Sequence, residues 1–368
     1  MRIVYLSASS IPSRAANSIH VMRMCEAFAR NGHETTLIGK QFGRSQPQNA
    51  YEFYGVAANF ELALIPCKKI KGVGVFVLPK LYARLRKHDP REVIIYARDV
   101  YGASMAMRMG FRVIYEAHAL PYNGLIRFLE TSLLRSRRLL RLVVISEALK
   151  NLYVSRFDIR SETIVCHDAA TPPNGTPPVD YPWPSSRNTL QIGYTGHLHQ
   201  GRGIEVILEC ATRLPQYDFH VVGGEPKDVA FWKAQGAPNV YFHGFIEPSK
   251  VASVRRLCDV LVMPYQTNLL LPHCRVNTSS WMSPMKLFEY MASGKAIVAS
   301  DLPVLREVLN EEMAILVSPG DTDAWGRAMQ RCEDGHFREF LAKNARRAFL
   351  ENYTWEQRAK KVLEGVDF

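Results

Sequence analysis

The segment that decides the fold reads Ser279-Ser-Trp-Met-Ser-Pro-Met-Lys-Leu-Phe-Glu-Tyr-Met-Ala-Ser-Gly-Lys-Ala-Ile-Val-Ala-Ser300. Ser283 suits a helix N-cap, Pro284 suits the first helical position, and Gly294 suits the helix stop. The apolar run Ala296–Ala299 that follows is typical of a parallel strand buried on both faces. The segment therefore predicts a capped helix that leads directly into a core strand.

The same alternation of apolar strands and helices extends through most of the chain. The clearest helix is Ser18–Asn31, with Gly32 as its stop. Alternation on this scale is typical of doubly wound α/β sheets, and 368 residues exceed the usual size of one hydrophobic core. The sequence thus predicts an α/β protein with two Rossmann-like doubly wound domains. The predicted strands are Ile3–Ala8, Thr35–Gly39, Leu62–Pro66, Val93–Ala97, Val113–Ala117, Leu142–Ser146, Thr163–His167, Gln191–Thr195, Asp218–Val222, Val240–Phe242, Val260–Pro264, Ala296–Ala299 and Ile315–Ser318.

A proline-rich stretch separates the two halves of the chain. It begins at Thr171 and is incompatible with a core strand or a long helix. We predict a first domain over residues 1–170, a stiff linker over 171–188, a second domain over 189–350 and a closing helix over 351–368.

Charge and cysteine usage narrow the class of protein. Residues 1–170 hold 25 Lys/Arg and 13 Asp/Glu, a net charge of +12, whereas the remainder carries −1. A basic half predicts an anionic partner: a membrane surface, a lipid phosphate or a nucleic acid. The seven scattered cysteines without C-x-x-C spacing favour reduced thiols in a cytoplasmic protein over a disulfide framework or a zinc site. The N-terminus lacks a secretory cleavage pattern, and no apolar run is long enough to span a bilayer.

The helix that begins near Ser283 has the chemistry of an anion site. Its first-turn amides and dipole favour a phosphate, and Lys286 adds a full positive charge there. Glu289, one turn further, suits a ribose diol. An ordinary capped helix with a surface Lys–Glu pair is the alternative. The chain lacks a G-x-G-x-x-G fingerprint, since Gly193-Tyr-Thr-Gly196 has the wrong spacing, so a dinucleotide cofactor is not expected.

These motifs together resemble glycosyltransferase family 4, which has the GT-B fold and retains anomeric configuration. The resemblance runs over nearly the whole chain and is strongest in the Ser-Pro-x-Lys-x-x-Glu form of the donor motif. The resembling segments, in the family's order, are Met1–Lys40, Val113–His118, Gly193–Ile204, Phe219–Gly224, Val240–Ile246, Asp259–Tyr265, Ser283–Ser300 and Tyr353–Ala359. The resemblance implies two domains facing across a cleft, with a C-terminal helix that crosses back to the first domain.

The resemblance also implies which residues bind a nucleotide diphosphate sugar, which is a substrate; no cofactor is expected. Arg202 and Lys286 would stabilise the departing diphosphate, and Glu289 would bind the ribose. The family's first donor-site glutamate falls on Trp281, and its usual phosphate arginine falls on His197. The sugar is therefore unspecified, with UDP-sugars favoured and GDP-mannose next. The implied donor-binding residues are Gly196, His197, Arg202, Gly244, Phe245, Ser283, Pro284, Met285, Lys286, Leu287 and Glu289.

In the first domain the resemblance places His118 on the transferred sugar. Glu116 beside it is either a base or turned away. Arg14, Asn17 and Ser18 occupy the loop whose backbone, in the family, approaches the phosphates or the acceptor. Asn17 or Ser18 also suits the N-cap of the following helix.

Metal-independent hexose transfer to a lipid, polysaccharide or small-molecule acceptor is thus the predicted activity. Asp321-Thr-Asp323 spells a metal-binding D-x-D but precedes a helical pattern, so we interpret it as a helix N-cap. Three alternatives stay open: a nucleotide-sugar 2-epimerase of the same fold, a nucleotide-binding homologue without activity, and a basic nucleic-acid-binding protein. No aromatic-basic motif supports the last, so we expect no nucleic-acid partner.

Two arginine- and leucine-rich stretches bear on membrane association. Leu125–Leu142 carries five arginines among many leucines, and Pro79–Lys87 is a shorter basic patch. Helices of this composition lie on anionic membrane surfaces, or form the solvated edge of a domain. The basic first half favours a protein that is peripheral at the inner face of the membrane. The sequence does not indicate an oligomeric state.

Overall fold

The computed structural model describes residues 1–42, 47–67, 73–173, 181–184, 189–270 and 276–366. The chain divides into two compact units. The first comprises Met1–Asp168 together with the segment that begins at Trp355, and the second comprises Ala169–Thr354. Residues 174–180 and 185–188 of the predicted linker lie outside the described residues.

The first unit is a parallel seven-stranded sheet with the order β3-β2-β1-β4-β5-β6-β7. Its central strands are continuously buried, which is the pattern that the apolar runs predict. The strands are β1 Arg2–Ser10, β2 Glu34–Phe42, β3 Glu61–Cys67, β4 Val93–Ala97, β5 Arg112–Ala117, β6 Leu139–Val144 and β7 Glu162–Val165. The helices are α1 Ala16–Arg30, α2 Pro47–Tyr54, α3 Val73–Leu85, α4 Val100–Arg108, α5 Gly124–Leu134, α6 Glu147–Arg156 and, from the end of the chain, α13 Trp355–Leu363.

The second unit is a parallel six-stranded sheet with the order β10-β9-β8-β11-β12-β13. The strands are β8 Gln191–Thr195, β9 Asp218–Val222, β10 Val240–Gly244, β11 Val260–Met263, β12 Ala296–Ser300 and β13 Ile315–Val317. The helices are α7 Ile204–Arg213, α8 Pro226–Lys233, α9 Pro248–Arg256, α10 Met285–Ser293, α11 Thr322–Arg331 and α12 Gly335–Asn352.

The predicted fold class is confirmed, and every predicted strand is present. In each sheet the strand order reverses beside the first strand, between β1 and β4 and between β8 and β11. Loops that follow strands on either side of such a reversal form a crevice at the carboxyl edge of the sheet. The loops after β8 and β11 are therefore where a ligand of the second unit is expected.

The ends of two predicted helices differ from expectation. α1 begins at Ala16 after Ala15, which makes no side-chain capping bond, so neither Asn17 nor Ser18 caps it. The Ser18 hydroxyl instead donates to the Ser10 carbonyl at 2.9 Å, inside the unit. Similarly, α10 begins at Met285 with Pro284 in the cap position, so Ser283 is not its cap. The predicted stop at Gly294 is confirmed, since its φ is +64°.

The basic stretch Leu125–Leu142 is not one helix. α5 ends at Leu134, and the chain then enters β6. Arg141 lies on that strand, buried, and donates to the Glu162 carboxylate at 2.6 Å. It belongs to the interior of the unit because the apolar residues around it form a sheet strand.

Candidate functional site

The loop after β8 in the second unit changes direction at a glycine with a positive φ. Gly196 has a φ of +145°, and its N–H donates to the Val222 carbonyl at 2.9 Å. A Cβ built at Gly196 would lie 2.9 Å from Lys286 Nζ. The positive φ favours glycine here, and the short distance shows that the β8 loop and the start of α10 meet at this point.

Lys286 is buried in the first turn of α10. Its Nζ lies 3.8 Å from the centre of the Tyr194 ring and 5.0 Å from that of Tyr265. Among the described residues, Nζ has no hydrogen-bond partner. Burial lowers the pKa of Lys286 well below its ordinary value, and Arg202 lowers it further. An ammonium held this way needs an anion to offset its desolvation.

Arg202 brings a second cation to the same place. Its Nη1 donates to the Tyr265 hydroxyl at 2.9 Å, and its guanidinium carbon lies 5.2 Å from the centre of that ring. Tyr265 therefore contacts both cations. The loop that carries Arg202 requires glycine at Gly203, where a Cβ would lie 1.8 Å from the Pro264 carbonyl oxygen and φ is +78°.

His197 lies in the same loop and is neutral at physiological pH. Burial lowers its pKa to about 4, with further contributions from Arg202, His199 and Lys286. A neutral imidazole beside two cations adds hydrogen-bonding capacity without adding charge.

Glu289, one turn beyond Lys286, is partly exposed and has a partner that the sequence did not reveal. Arg255 of α9 is buried and donates from Nη1 to Glu289 Oε2 at 3.0 Å. The ion pair fixes the carboxylate. Its remaining acceptor capacity suits hydroxyl donors.

The other predicted donor residues are distributed around this centre. Gly244 ends β10, and its carbonyl accepts from the Gly223 N–H at 2.7 Å; a Cβ at Gly223 would touch the Gly196 carbonyl. Phe245 follows, half-buried. Leu287 is buried in the core, so only its backbone is available to a ligand. The half-buried Pro284 and Met285 and the buried Ser283 form the start of α10.

The first unit holds a separate cluster at the end of β5, which we call the His118 cluster: His20, Glu116, His118, Asp168 and Arg358. Glu116 is not turned away, because His118 Nε2 lies 2.5 Å from its Oε1. The His118 side chain is 24% exposed, whereas that of Glu116 is fully buried. Burial lowers the pKa of His118 to about 4, and Arg98 contributes.

Within the described ranges, His20, Glu116 and His118 form one group of side chains close enough to share a metal ion. Arg358 Nη2 lies 3.0 Å from the same Glu116 oxygen that faces both histidines. A guanidinium in this position repels a divalent cation. These residues therefore fit an internal hydrogen-bonded cluster better than a metal site.

Three further predictions concern loops of the chain. Arg14 and Asn17 are exposed at the start of α1, and Ser18 is buried there. The Asp321 carboxylate accepts from the Ala324 N–H at 2.9 Å, which confirms it as the cap of α11. Trp281 lies partly buried in the turn before α10.

A described part of the predicted linker packs on the second sheet. The Trp183 ring stacks on His220 with 3.8 Å between ring centres, and the Tyr181 hydroxyl lies 3.1 Å from His243 Nδ1. This short piece is therefore anchored to β9 and β10.

Two family models match the two halves of the chain. Residues 18–167 match a model described as Glycosyltransferase Family 4, and residues 189–334 match one described as Glycosyl transferases group 1. Together they span most of the chain. "Putative teichuronic acid biosynthesis glycosyltransferase TuaH" of Bacillus subtilis is 30% identical over 119 residues, covering 32% of this chain and 28% of that protein. The chain thus spans less than a third of the length of this relative.

Solved structures share the architecture over almost the full chain. Sucrose-phosphate synthase from Thermosynechococcus elongatus has a TM-score of 0.71 at 18% identity, covering 98% of this chain and 96% of that one. HepE of Anabaena, solved with UDP and glucose, has a TM-score of 0.68 at 14% identity, covering 99% and 98%. At these identities the likeness concerns the fold.

Proposed function

Because this chain belongs to the family 4, group 1 glycosyltransferases, we propose that it moves a hexose from a nucleotide diphosphate sugar to a lipid, polysaccharide or small-molecule acceptor. UDP-sugars are the favoured donors and GDP-mannose the next. HepE, which has the same fold, was solved with UDP, and this supports the preference. Retention of anomeric configuration is part of the proposal and follows from the family resemblance.

The observation that carries the proposal is a pair of cations at the carboxyl edge of the second sheet, the buried Lys286 and the half-buried Arg202. The Lys286 ammonium has no acceptor in the described structure, and Arg202 shares Tyr265 with it. A diphosphate suits this place, where two cations converge beside a glycine turn and the start of a helix. Its negative charges are sufficient to compensate both cations. A monoanion would leave one of them uncompensated.

The same cations explain how the bond to the sugar would break without a metal ion. As that bond breaks, negative charge develops on the departing diphosphate. Cations already fixed in a site with little water stabilise this charge without reorganisation. The Lys286 charge is fixed by its buried first-turn position and the Arg202 charge by its bond to Tyr265.

Glu289 and His118 complete the proposed roles. Glu289, held by Arg255, would accept hydrogen bonds from the ribose hydroxyls of the nucleotide. His118, whose Nε2 faces Glu116, would meet a hydroxyl of the transferred sugar with its other ring nitrogen.

Turnover with a panel of sugars tests this assignment. Purified protein is incubated in EDTA with UDP-glucose, UDP-galactose, UDP-N-acetylglucosamine or GDP-mannose, with and without a pool of lipid and saccharide acceptors. Release of nucleoside diphosphate only when acceptor is present supports a transferase. Release without acceptor supports the 2-epimerase, and no release from any donor supports the inactive homologue. The anomeric configuration of the product, measured by proton NMR, tests retention.

We also propose that the first unit contacts an anionic membrane through α3, α4 and α5. Phe128 and Leu125 on α5 are 66% and 57% exposed, and Tyr82 on α3 and Tyr122 before α5 are also exposed. An apolar groove of about 380 Å³ crosses the three helices and is lined by Tyr82, Arg108 and Leu129, among others. Exposed apolar side chains beside arginines suit the interface of a bilayer with negative headgroups. Within the part of the chain that the structure describes, no helix combines the length and apolar character that crossing a bilayer requires.

Vesicle sedimentation tests the membrane proposal. Protein is mixed with phosphatidylglycerol or phosphatidylcholine vesicles at low and at physiological salt. We expect binding to phosphatidylglycerol only, and loss of most binding in Phe128→Ser. Phe340→Ser is the matched control, since Phe340 on α12 of the second unit is 51% exposed. Equal sedimentation of both variants would contradict the proposed surface, and a dimer that dissociates in Phe128→Ser would assign it to self-association.

A further inference from the structure

We propose that Arg358, on the last helix of the chain, is a positioning residue that holds Glu116 ionised and thereby fixes His118 as the neutral tautomer with hydrogen on Nε2. This inference rests on the proposed function, in which His118 meets the transferred sugar. It assigns a role to a helix that follows the second unit in sequence but belongs to the first.

The geometry around Glu116 carries the argument. Its Oε1 faces His118 Nε2 at 2.5 Å and Arg358 Nη2 at 3.0 Å. Its Oε2 accepts from the Tyr96 hydroxyl and lies 3.3 Å from Arg358 Nη1. Since the guanidinium is always charged and spans both oxygens, the carboxylate is an acceptor on both of them. His118 must then present a hydrogen on Nε2, and this leaves Nδ1 as the acceptor.

A buried carboxylate keeps its charge only when it is compensated. Burial acts to raise the pKa of Glu116, but Arg358 and then His20 hold it well below the usual range. Arg358 is itself only 3% exposed. Removing one partner of such a pair leaves an uncompensated charge that must be neutralised by a proton.

His20 and Asp168 extend the cluster away from His118. Each ring nitrogen of His20 lies 3.0 Å from a carboxylate oxygen, Nδ1 from Asp168 and Nε2 from Glu116. The Nδ1 contact is a hydrogen bond, whereas the Nε2 contact lacks hydrogen-bond geometry. The His20 and His118 rings meet edge to face at 5.2 Å, so His20 also limits how the His118 ring can turn.

Several charged and titratable groups surround His118 and its partner Glu116. These are Glu116 on β5, His20 from α1, Tyr96 and Arg98 from the end of β4, Asp168 after β7 and Arg358 from α13. Arg358 is the cation that bonds Glu116 directly. It also donates from Nε to the His167 carbonyl at 2.8 Å and from Nη2 to the Cys166 carbonyl at 3.2 Å. These bonds fix the position of its charge.

Nitrogen-15 NMR of histidine-labelled, ligand-free protein tests the inference, with the His118 signal assigned from its absence in His118→Gln. In the wild type we expect one neutral Nε2–H tautomer between about pH 5 and pH 8. An Nδ1–H tautomer or a charged ring at pH 6 overturns the proposal without any variant.

Arg358→Gln supplies the second arm, because it removes the charge and keeps a hydrogen-bond donor. We expect that half or less of His118 remains in the Nε2–H tautomer at pH 6, and that Arg358→Lys restores it. Arg141→Gln is the matched control, since Arg141 is also buried, pairs with Glu162 and donates to the Val362 carbonyl of α13. If Arg358→Gln keeps the wild-type tautomer, or Arg141→Gln loses it equally, the proposal fails.

Kinetics then separate this inference from the proposed function. We expect kcat to fall about tenfold in Arg358→Gln, the effect of about one hydrogen bond, while UDP affinity stays unchanged. A wild type without transferase activity but with the expected NMR behaviour would refute the function and leave the positioning role intact. Unchanged kcat in Arg358→Gln with active wild type would refute the positioning role alone.

Discussion

Replacing Lys286 with methionine is expected to stabilise the ligand-free protein. The ammonium is buried and has no acceptor within the described ranges. An unsatisfied buried donor costs about 1–3 kcal/mol, and more when it is charged. The Tyr194 ring, whose centre lies 3.8 Å from Nζ, stabilises the ammonium by roughly 0.5–2 kcal/mol and so offsets part of this cost. Methionine has a similar length without the charge, so we expect a gain of about 1 kcal/mol in the free energy of unfolding.

The pH dependence of stability follows from the same side chain. Burial, and then Arg202, place the pKa of Lys286 in the folded state below its ordinary value of 10.5. Between the two values the unfolded chain binds more protons than the folded chain, so wild-type stability rises with pH across that window. The Lys286→Met protein lacks this contribution. Its stability advantage should therefore be largest below the lowered pKa and should shrink as pH increases toward 10.5.

The same substitution should weaken nucleotide binding. A charge-assisted contact to phosphate contributes about 1.5–3 kcal/mol, which is about 10- to 150-fold in Kd. Urea unfolding at several pH values and calorimetric titration with UDP measure the two effects. Lys295→Met is the matched control: Lys295 lies beyond the far end of α10, so both quantities should stay at wild-type values. A Lys286→Met protein that is less stable than the wild type and binds UDP equally well would refute the reasoning.

Three further outcomes are expected. Gly203→Ala should lower the free energy of unfolding in urea by more than about 2 kcal/mol, because its Cβ would overlap the Pro264 carbonyl and φ is positive; wild-type stability would contradict this. Arg255→Met should weaken the binding of UDP and of uridine by the same factor, about tenfold in Kd measured by calorimetry, because it releases Glu289 and leaves the phosphate site intact. A loss of affinity confined to UDP would contradict this. His118→Ala should lower kcat about tenfold with the Kd for UDP unchanged, and a changed Kd would place His118 in nucleotide binding instead.

The strands could be predicted because each is a short, mainly apolar run bounded by turn residues. Val93–Ala97, Gln191–Thr195 and Asp218–Val222 have the predicted bounds. The N-terminus of α10 differs from the prediction by one residue, because Pro284 takes the cap position that Ser283 suits, and side-chain preference alone does not fix which residue begins the turn.

The partners of the site residues could not be predicted. Arg255 reaches Glu289 across 34 residues, and Arg358 reaches Glu116 across 242. Such pairings depend on the packing of helices against the sheets, which local sequence does not encode. The interior position of Arg141 was missed for a related reason: in a leucine-rich stretch, a charged residue on a buried strand is indistinguishable from one on a surface helix until its partner Glu162 is placed.

Comparing UDP with UMP tests the diphosphate site most directly. Calorimetric titrations in EDTA give the ratio of the two Kd values for wild type and for Lys286→Met. We expect the wild type to bind UDP about 10- to 100-fold more tightly than UMP, and the variant to lose most of this preference because only Arg202 remains at the diphosphate. A wild type that does not distinguish the two nucleotides, or that binds UDP only when a divalent cation is supplied, would contradict a metal-independent diphosphate site at Lys286.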